Sequence, residues 1–123
     1  MRIGVSGSRA LTVVERRNAH RIIKGILSCY GEGDELHHGN ASGVDRIAAE
    51  LGKQYGMKVV PHVPKQKRWD GYAGYKARNM DIVNSSDKIY AFHSPHSSTG
   101  GTIWTYNYAK DLGKHCEWIE LTS

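Results

Sequence analysis

Three glycine-bearing loops, each set where an apolar run ends and a helical pattern begins, constrain this chain more than any other feature. They read Val5-Ser6-Gly7-Ser8-Arg9, His38-Gly39-Asn40-Ala41-Ser42-Gly43-Val44-Asp45 and Ser97-Ser98-Thr99-Gly100-Gly101-Thr102. Strands joined by crossover helices build a parallel sheet, so repeating this junction confines the chain to a three-layer α/β architecture. Right-handed crossovers leave few topologies. The doubly wound strand order 3-2-1-4-5 is the expectation, which opens a crevice between the first and fourth strands at their carboxyl ends. The first and third glycine loops flank that crevice, and the second is their neighbour.

Periodicity sets the boundaries. Strands are expected over residues 2–6, 35–38, 57–63, 88–92 and 115–121. Thr12 followed by Glu15 reads as a capping box. It opens a helix to about residue 29 that carries Val13, Val14, Ile22, Ile23, Ile26 and Leu27. A second helix spans 43–55, because Val44, Ile47, Ala48 and Leu51 recur at three- and four-residue spacing. Helices over 72–84 and 101–112 complete the pattern, the last with Trp104, Tyr108 and Leu112 on one stripe and Gly113 as its stop.

At 123 residues the chain supports one domain with one core. It has no apolar run of about 18 residues that would span a membrane. Met1-Arg2-Ile3-Gly4-Val5 enters a strand pattern directly, without a signal-peptide core. Cys29 and Cys116 are too few for a disulfide framework and read as reduced packing residues. The expectation is a cytoplasmic protein. A net charge of +5 favours phosphates, nucleotides or nucleic acid as partners, or serves solubility alone. Lys65, Lys67 and Arg68, beside Trp69, are the densest basic group.

Each loop carries its own chemistry. Glycine permits close backbone approach to a ligand, and a helix N-terminus offers free N–H groups and partial positive charge to phosphate. Gly7, Ser8 and Arg9 combine a close backbone with a hydroxyl and a guanidinium suited to phosphate. Gly39, Asn40, Ser42 and Gly43 lead into a helix with Asp45 in its first turn. That carboxylate favours the helix dipole, fixes the loop, or accepts bonds from ribose hydroxyls. Ser98, Thr99, Gly100, Gly101 and Thr102 form the strongest anion signal, although the loop matches neither a Walker ending nor the dinucleotide G-x-G-x-x-G fingerprint.

Arg78 and Asn79, on the helix after the third strand, are placed to reach over the pocket. Trp69, Tyr72 and Tyr75 are candidates to stack on a base or to close the edge of the core. His37, His38, His93 and His96 fall near one sheet edge, with His38 or His93 a candidate acid–base group. His93-x-x-His96 is poor spacing for zinc, so no metal and no resident cofactor are expected.

At Gly7-Ser8-Arg9, His38-Gly39 through Gly43-Val44-Asp45, Pro64 with Trp69, Arg78-Asn79-Met80 and Gly101-Thr102, the chain resembles the SLOG superfamily. It looks most like the small stand-alone YspA-like group found in bacteria and their viruses. The resemblance runs over about residues 1–120. It implies a Rossmann-like sheet that binds nucleotides or nucleotide-derived ligands, and a dimer or higher oligomer as in many relatives. Relatives include LOG phosphoribohydrolases, DprA DNA-processing proteins and molybdenum-cofactor carriers.

The LOG enzymes carry Met-x-x-Arg-Lys and Pro-Gly-Gly-x-Gly-Thr-x-x-Glu motifs. Here Arg78 matches the arginine, Asn79 replaces the lysine, Gly101-Thr102 match the Gly-Thr pair, and Thr105 stands where the glutamate belongs. Glycosidic cleavage normally wants carboxylates, and threonine is not one. The leading expectation is therefore a nucleotide-binding module. An N-glycosidase using Arg78 and Asp45 is the alternative, and a DprA-like binder of single-stranded nucleic acid, drawing on the basic group and its aromatics, the third.

Overall fold

A computed structural model of the chain describes residues 1–97 and 100–121. Strands and helices alternate: β1 (Arg2–Gly7), α1 (Val13–Leu27), β2 (Glu35–His38), α2 (Val44–Gln54), β3 (Lys58–Pro61), α3 (Tyr75–Asn84), β4 (Lys88–His93), α4 (Gly101–Asp111) and β5 (His115–Glu120). The strands form one parallel sheet in the order β3-β2-β1-β4-β5, as the sequence leads one to expect.

Alternation along the central strands divides the core. Ile3, Val5, Tyr90 and Phe92 pack with Ala19, Ile23 and Leu27 of α1 and Val44, Ile47 and Leu51 of α2. Ile89 and Ala91 point the other way and pack with Val83 of α3, Ala109 of α4 and Cys116. Two-residue periodicity in the strands thus faces two helix pairs, which is the doubly wound arrangement. Gly4 lies against Ile82 of α3 and Ser86 just beyond that helix. A Cβ there would sit 3.2 Å from Ile82 Cγ2 and nearer still to Ser86 Oγ.

The capping box forms. Thr12 N–H donates to Glu15 Oε1 at 2.9 Å, and Glu15 N–H donates to Thr12 Oγ1 at 3.1 Å. Glu15 is also fully buried and accepts a very short bond from Ser94 Oγ. Burial alone would raise its carboxyl, but the bonds from Ser94 and Thr12 hold it below the usual carboxylate range. Ser94 N–H in turn donates to Ser8 Oγ at 3.0 Å. The loops after β1 and β4 are therefore tied to the first turn of α1.

Several boundaries depart from expectation. The third strand is four residues, Lys58–Pro61, because its partner β2 offers only Glu35–His38 for pairing. The third helix starts at Tyr75, not residue 72. Tyr75 N–H and Lys76 N–H are held by the carbonyls of Arg68 and Trp69, so the preceding segment is a loop folded onto the helix start. Gly74 lets it close, since a Cβ there would lie 2.5 Å from Arg68 O. The first helix ends at Leu27, and Cys29 beyond it is exposed rather than packed, whereas Cys116 is buried. Val13, Val14 and Leu112 are exposed, and α4 buries Thr102, Thr105 and Ala109 instead of the expected stripe. Among the described residues no helix is long and apolar enough to cross a membrane.

Candidate ligand-binding site

A cavity of about 830 Å³ opens where β1 and β4 end, at the crevice expected of this strand order. Gly7, Ser8 and Arg9 form one wall. Gly100, Gly101 and Thr102, at the start of α4, form the opposite one. Asp45, Arg78 and Asn79 also line it. Gly39, Asn40, Ser42 and Gly43 do not, although Ala41 of the same loop does. Ser98 and Thr99 lie outside the described residues.

The loop after β2 is closed on itself. Asp45 Oδ2 accepts from Gly39 N–H at 2.9 Å and Ala41 N–H at 3.3 Å. Arg78 Nη1 donates a very short bond to Gly39 O, and Arg78 Nε donates to Asn79 Oδ1 at 2.7 Å. A Cβ on Gly39 would lie 2.7 Å from Arg78 Cζ, so glycine is needed for the guanidinium to reach the carbonyl. Gly43 has φ +79°, and a Cβ there would meet Ser8 O and Arg9 O at 2.5 Å. Asn40 is also left-handed, at φ +57°. Gly39 and Gly43 thus serve the architecture that carries Asp45.

Asp45 is 4% exposed, and its Oδ1 has no hydrogen-bond partner among the described residues. Burial pushes its carboxyl up to about 6, against the pull of the Ala41 and Gly39 amides and the Arg78 and Arg9 cations. Arg78 is itself lowered by burial. Among the described residues Asp45 is the one carboxylate on the cavity wall. Thr105 is fully buried, donates to Gly101 O at 2.8 Å, and is not on that wall.

The start of α4 has Gly100 as its N-cap, as α2 has Gly43, and among the described residues no side chain caps it. The first N–H groups of an α-helix have no partner within the helix and carry its partial positive charge.

Aromatic residues complete the cavity. Trp69 meets Trp104 edge-on with ring centroids 5.5 Å apart, and Trp104 stacks on Tyr108 at 5.2 Å. Trp69, Tyr75 and Trp104 line the cavity, whereas Tyr72 is 90% exposed and does not. Arg9 lies over the Tyr75 ring at 4.2 Å and donates to its hydroxyl at 3.4 Å, which lowers the phenol pKa.

The histidines do not converge. His37 shares a 2.8 Å hydrogen bond with His62 and another with Glu35. His93 bonds Glu120 and stacks on Trp118. His38 accepts from Asn40 N–H at 2.9 Å, and burial lowers it to about 4, so it stays neutral inside the fold. Of the four expected at one edge, His96 alone lines the cavity. Among the described residues no group of three or more His, Cys, Asp or Glu is placed to hold a metal.

The sequence reading missed Trp104 as a cavity residue and Ser94 as the link between two loops. Trp104 follows Gly100 by four residues, one helical turn from the loop. That spacing was a usable signal. Ser94 stands just past the end of β4, and nothing in its neighbours marks it.

No protein-family model matches the chain, and no curated protein matches it significantly. Solved structures do. TM1055 matches at TM-score 0.72 and 18% identity over 94% of this chain and 71% of that one. The molybdenum cofactor binding protein of Rippkaea orientalis matches at TM-score 0.72 and 21% identity over 98% and 77%. DNA processing protein A of Helicobacter pylori, described for its single-stranded DNA binding mode, matches at TM-score 0.67 and 16% identity. That match covers 96% of this chain and 64% of the DNA-processing protein. At these identities the likeness is one of fold.

Proposed function

We propose that this chain, which has the SLOG-type Rossmann-like fold of these neighbours, is a binding module for a nucleotide or nucleotide-derived ligand. The observation that carries the reading is the make-up of one cavity. It joins a helix start whose N-cap is glycine and the guanidinium of Arg9 to an aromatic wall of Trp69, Tyr75 and Trp104. A nucleotide has parts that match each: an anionic phosphate and a flat base. A volume of about 830 Å³ lies within the range of small-molecule sites. One neighbour is described as binding the molybdenum cofactor and another single-stranded DNA, which agrees with a ligand-binding role without choosing the ligand.

Thermal unfolding with a panel of nucleoside mono- and diphosphates and ADP-ribose tests it. At least one should raise Tm in a concentration-dependent way, as any ligand of the folded state alone must. No rise with any of them would remove the proposal.

A second reading, an N-glycosidase acting on a nucleoside monophosphate or NAD-type ligand, is favoured by one observation. Asp45 is a cavity carboxylate whose pKa of about 6 suits proton transfer near neutrality. The buried Thr105 at the expected glutamate position weighs against it. Release of free base from such a ligand, lost in Asp45→Asn, supports catalysis. Intact ligand after long incubation leaves the binding module.

A further inference from the structure

Two guanidiniums meet on one ring in the cavity wall. Arg9, from the loop after β1, lies 4.2 Å from the centroid of the Tyr75 ring. Arg78, one turn along α3, lies 5.4 Å from the same centroid. Both distances fall within cation–π range. Arg9 Nη1 also donates to the Tyr75 hydroxyl at 3.4 Å. All three residues line the cavity, where Arg9 is exposed and Tyr75 half-buried.

This pair is short of negative charge. Among the described residues no carboxylate lies within 4.0 Å of either guanidinium. Asp45, the one carboxylate described on the cavity wall, holds the Gly39 and Ala41 amides instead. The bond from Arg9 lowers the Tyr75 phenol, and the charges of Arg9, Lys67 and Arg78 add to that, so a third cation stands near. Like charges repel. Arg78 is held in place by its bonds to Asn79 and Gly39. Arg9 has no such anchor, and a long exposed side chain beside a fixed cation gains by swinging into water. The Tyr75 ring and hydroxyl oppose that swing. Tyr75 is itself held at the start of α3, where its N–H donates to Arg68 O at 2.8 Å.

We propose that Tyr75 is a positioning residue: its ring gathers Arg9 beside the fixed Arg78, so that the paired charges receive a doubly charged phosphate group. The inference rests on the nucleotide-binding reading above and adds to it a residue and a preference among phosphates. A terminal phosphate carries about −1.5 to −2 at neutral pH, whereas a diester carries a single charge and leaves the pair only partly neutralised.

Calorimetry with the nucleoside mono- and diphosphates tests this, each compared with its terminal methyl ester, which keeps base and sugar and removes one charge. The unaltered protein should hold the nucleotide that binds about tenfold more tightly than its ester. Tyr75→Met removes the ring from a side chain of similar length and should cut that ratio to about threefold. Tyr75→Phe keeps the ring and should keep most of the ratio. Loss of packing alone would weaken both ligands alike and leave the ratio unmoved. An ester bound as tightly as its parent, or an unchanged ratio in Tyr75→Met, overturns the inference and leaves nucleotide binding standing. Binding of none of the nucleotides overturns both. If Tyr75→Met does not fold, phenol titration of the unaltered protein decides. Saturation with the bound nucleotide should raise the pKa of the one phenol missing from Tyr75→Phe, because the phosphate sits beside it, and no movement of that phenol overturns the inference.

Discussion

Two glycine-rich loops at the carboxyl edge of the sheet, the one after β2 and the one that opens α4, differ in how their backbone is held. The loop after β2 satisfies itself: Asp45 takes two of its amides, Arg78 takes the Gly39 carbonyl, and Gly43 sits under the carbonyls of Ser8 and Arg9. At the start of α4 the N-cap is Gly100, which takes no capping bond from a described side chain, and a Cβ there would meet no described atom within 4 Å. Similar glycine-rich spelling therefore hides two uses. In the first loop glycine lets protein groups approach one another. In the second it leaves backbone accessible to something else. Composition points to backbone freedom, and only the surrounding contacts show what the freedom is for.

Substitutions that separate scaffold from ligand wall sharpen this contrast. The largest effect is expected at Gly43. Gly43→Val brings a β-branched residue to φ +79° and places its Cβ 2.5 Å from two carbonyl oxygens. It should cost about 4 kcal/mol or more and leave little folded protein, as read by chemical denaturation.

Next comes pH. Burial raises the Asp45 carboxyl to about 6 in the folded chain against the ordinary 3.8 of an unfolded one, so its contribution to stability is greatest below pH 3.8 and is lost as pH rises through 6. His38 runs the other way: folded at about 4 and unfolded at 6.5, it loses stability as pH falls from 6.5 towards 4. Each swing is about 3 kcal/mol, at 1.36 kcal/mol per pKa unit. Relative to the unaltered protein, His38→Asn should gain stability as pH falls from 6.5 to 4. Asp45→Asn should gain it as pH rises from 4 to 6. Parallel curves for variant and parent would contradict the burial assigned to both groups.

Arg78→Ala frees the buried Gly39 carbonyl and should cost about 2 kcal/mol in denaturation, with Arg78→Lys a poor substitute because it lacks the two-pronged reach to Gly39 and Asn79. Arg9→Ala is the counterpart on the ligand wall. Arg9 is exposed, so its loss should change stability by less than about 0.5 kcal/mol while weakening nucleotide binding about tenfold. The smallest effect is expected at Gly100→Ala. Its φ of −93° suits alanine and its Cβ meets open space, so stability should hold or rise by about 0.5 kcal/mol. A large loss there would show that the start of α4 is as tightly built as the loop after β2.

The fold was legible because its signals are periodic and local. Apolar runs, helical spacing and the Thr12–Glu15 capping box each specify an element from its own residues, and the crossover rules then order the sheet. The end of β3 and the start of α3 differ from the sequence expectation for a non-local reason. One is set by how many residues β2 offers, the other by carbonyls of Arg68 and Trp69 that return from the preceding loop.

The cavity position, and Gly7, Arg9, Asp45, Arg78 and Gly101 on its wall, followed from topology. The division of labour did not. Nothing in the spelling of Gly39 says that Arg78, far along the chain, needs the space a side chain would fill. Four nearby histidines in the sequence looked like one group, yet strand pleating sends His37 to His62 and His93 to Trp118.

The measurement that tests the account most directly is calorimetric titration of the unaltered protein with the nucleoside diphosphate panel, repeated with inorganic pyrophosphate as competitor. The account predicts binding of at least one nucleotide at one site per chain, displaced by pyrophosphate and weakened in Arg9→Ala. No heat and no competition with any nucleotide, with single-stranded DNA bound instead through the exposed Lys65, Lys67 and Arg68, would contradict it.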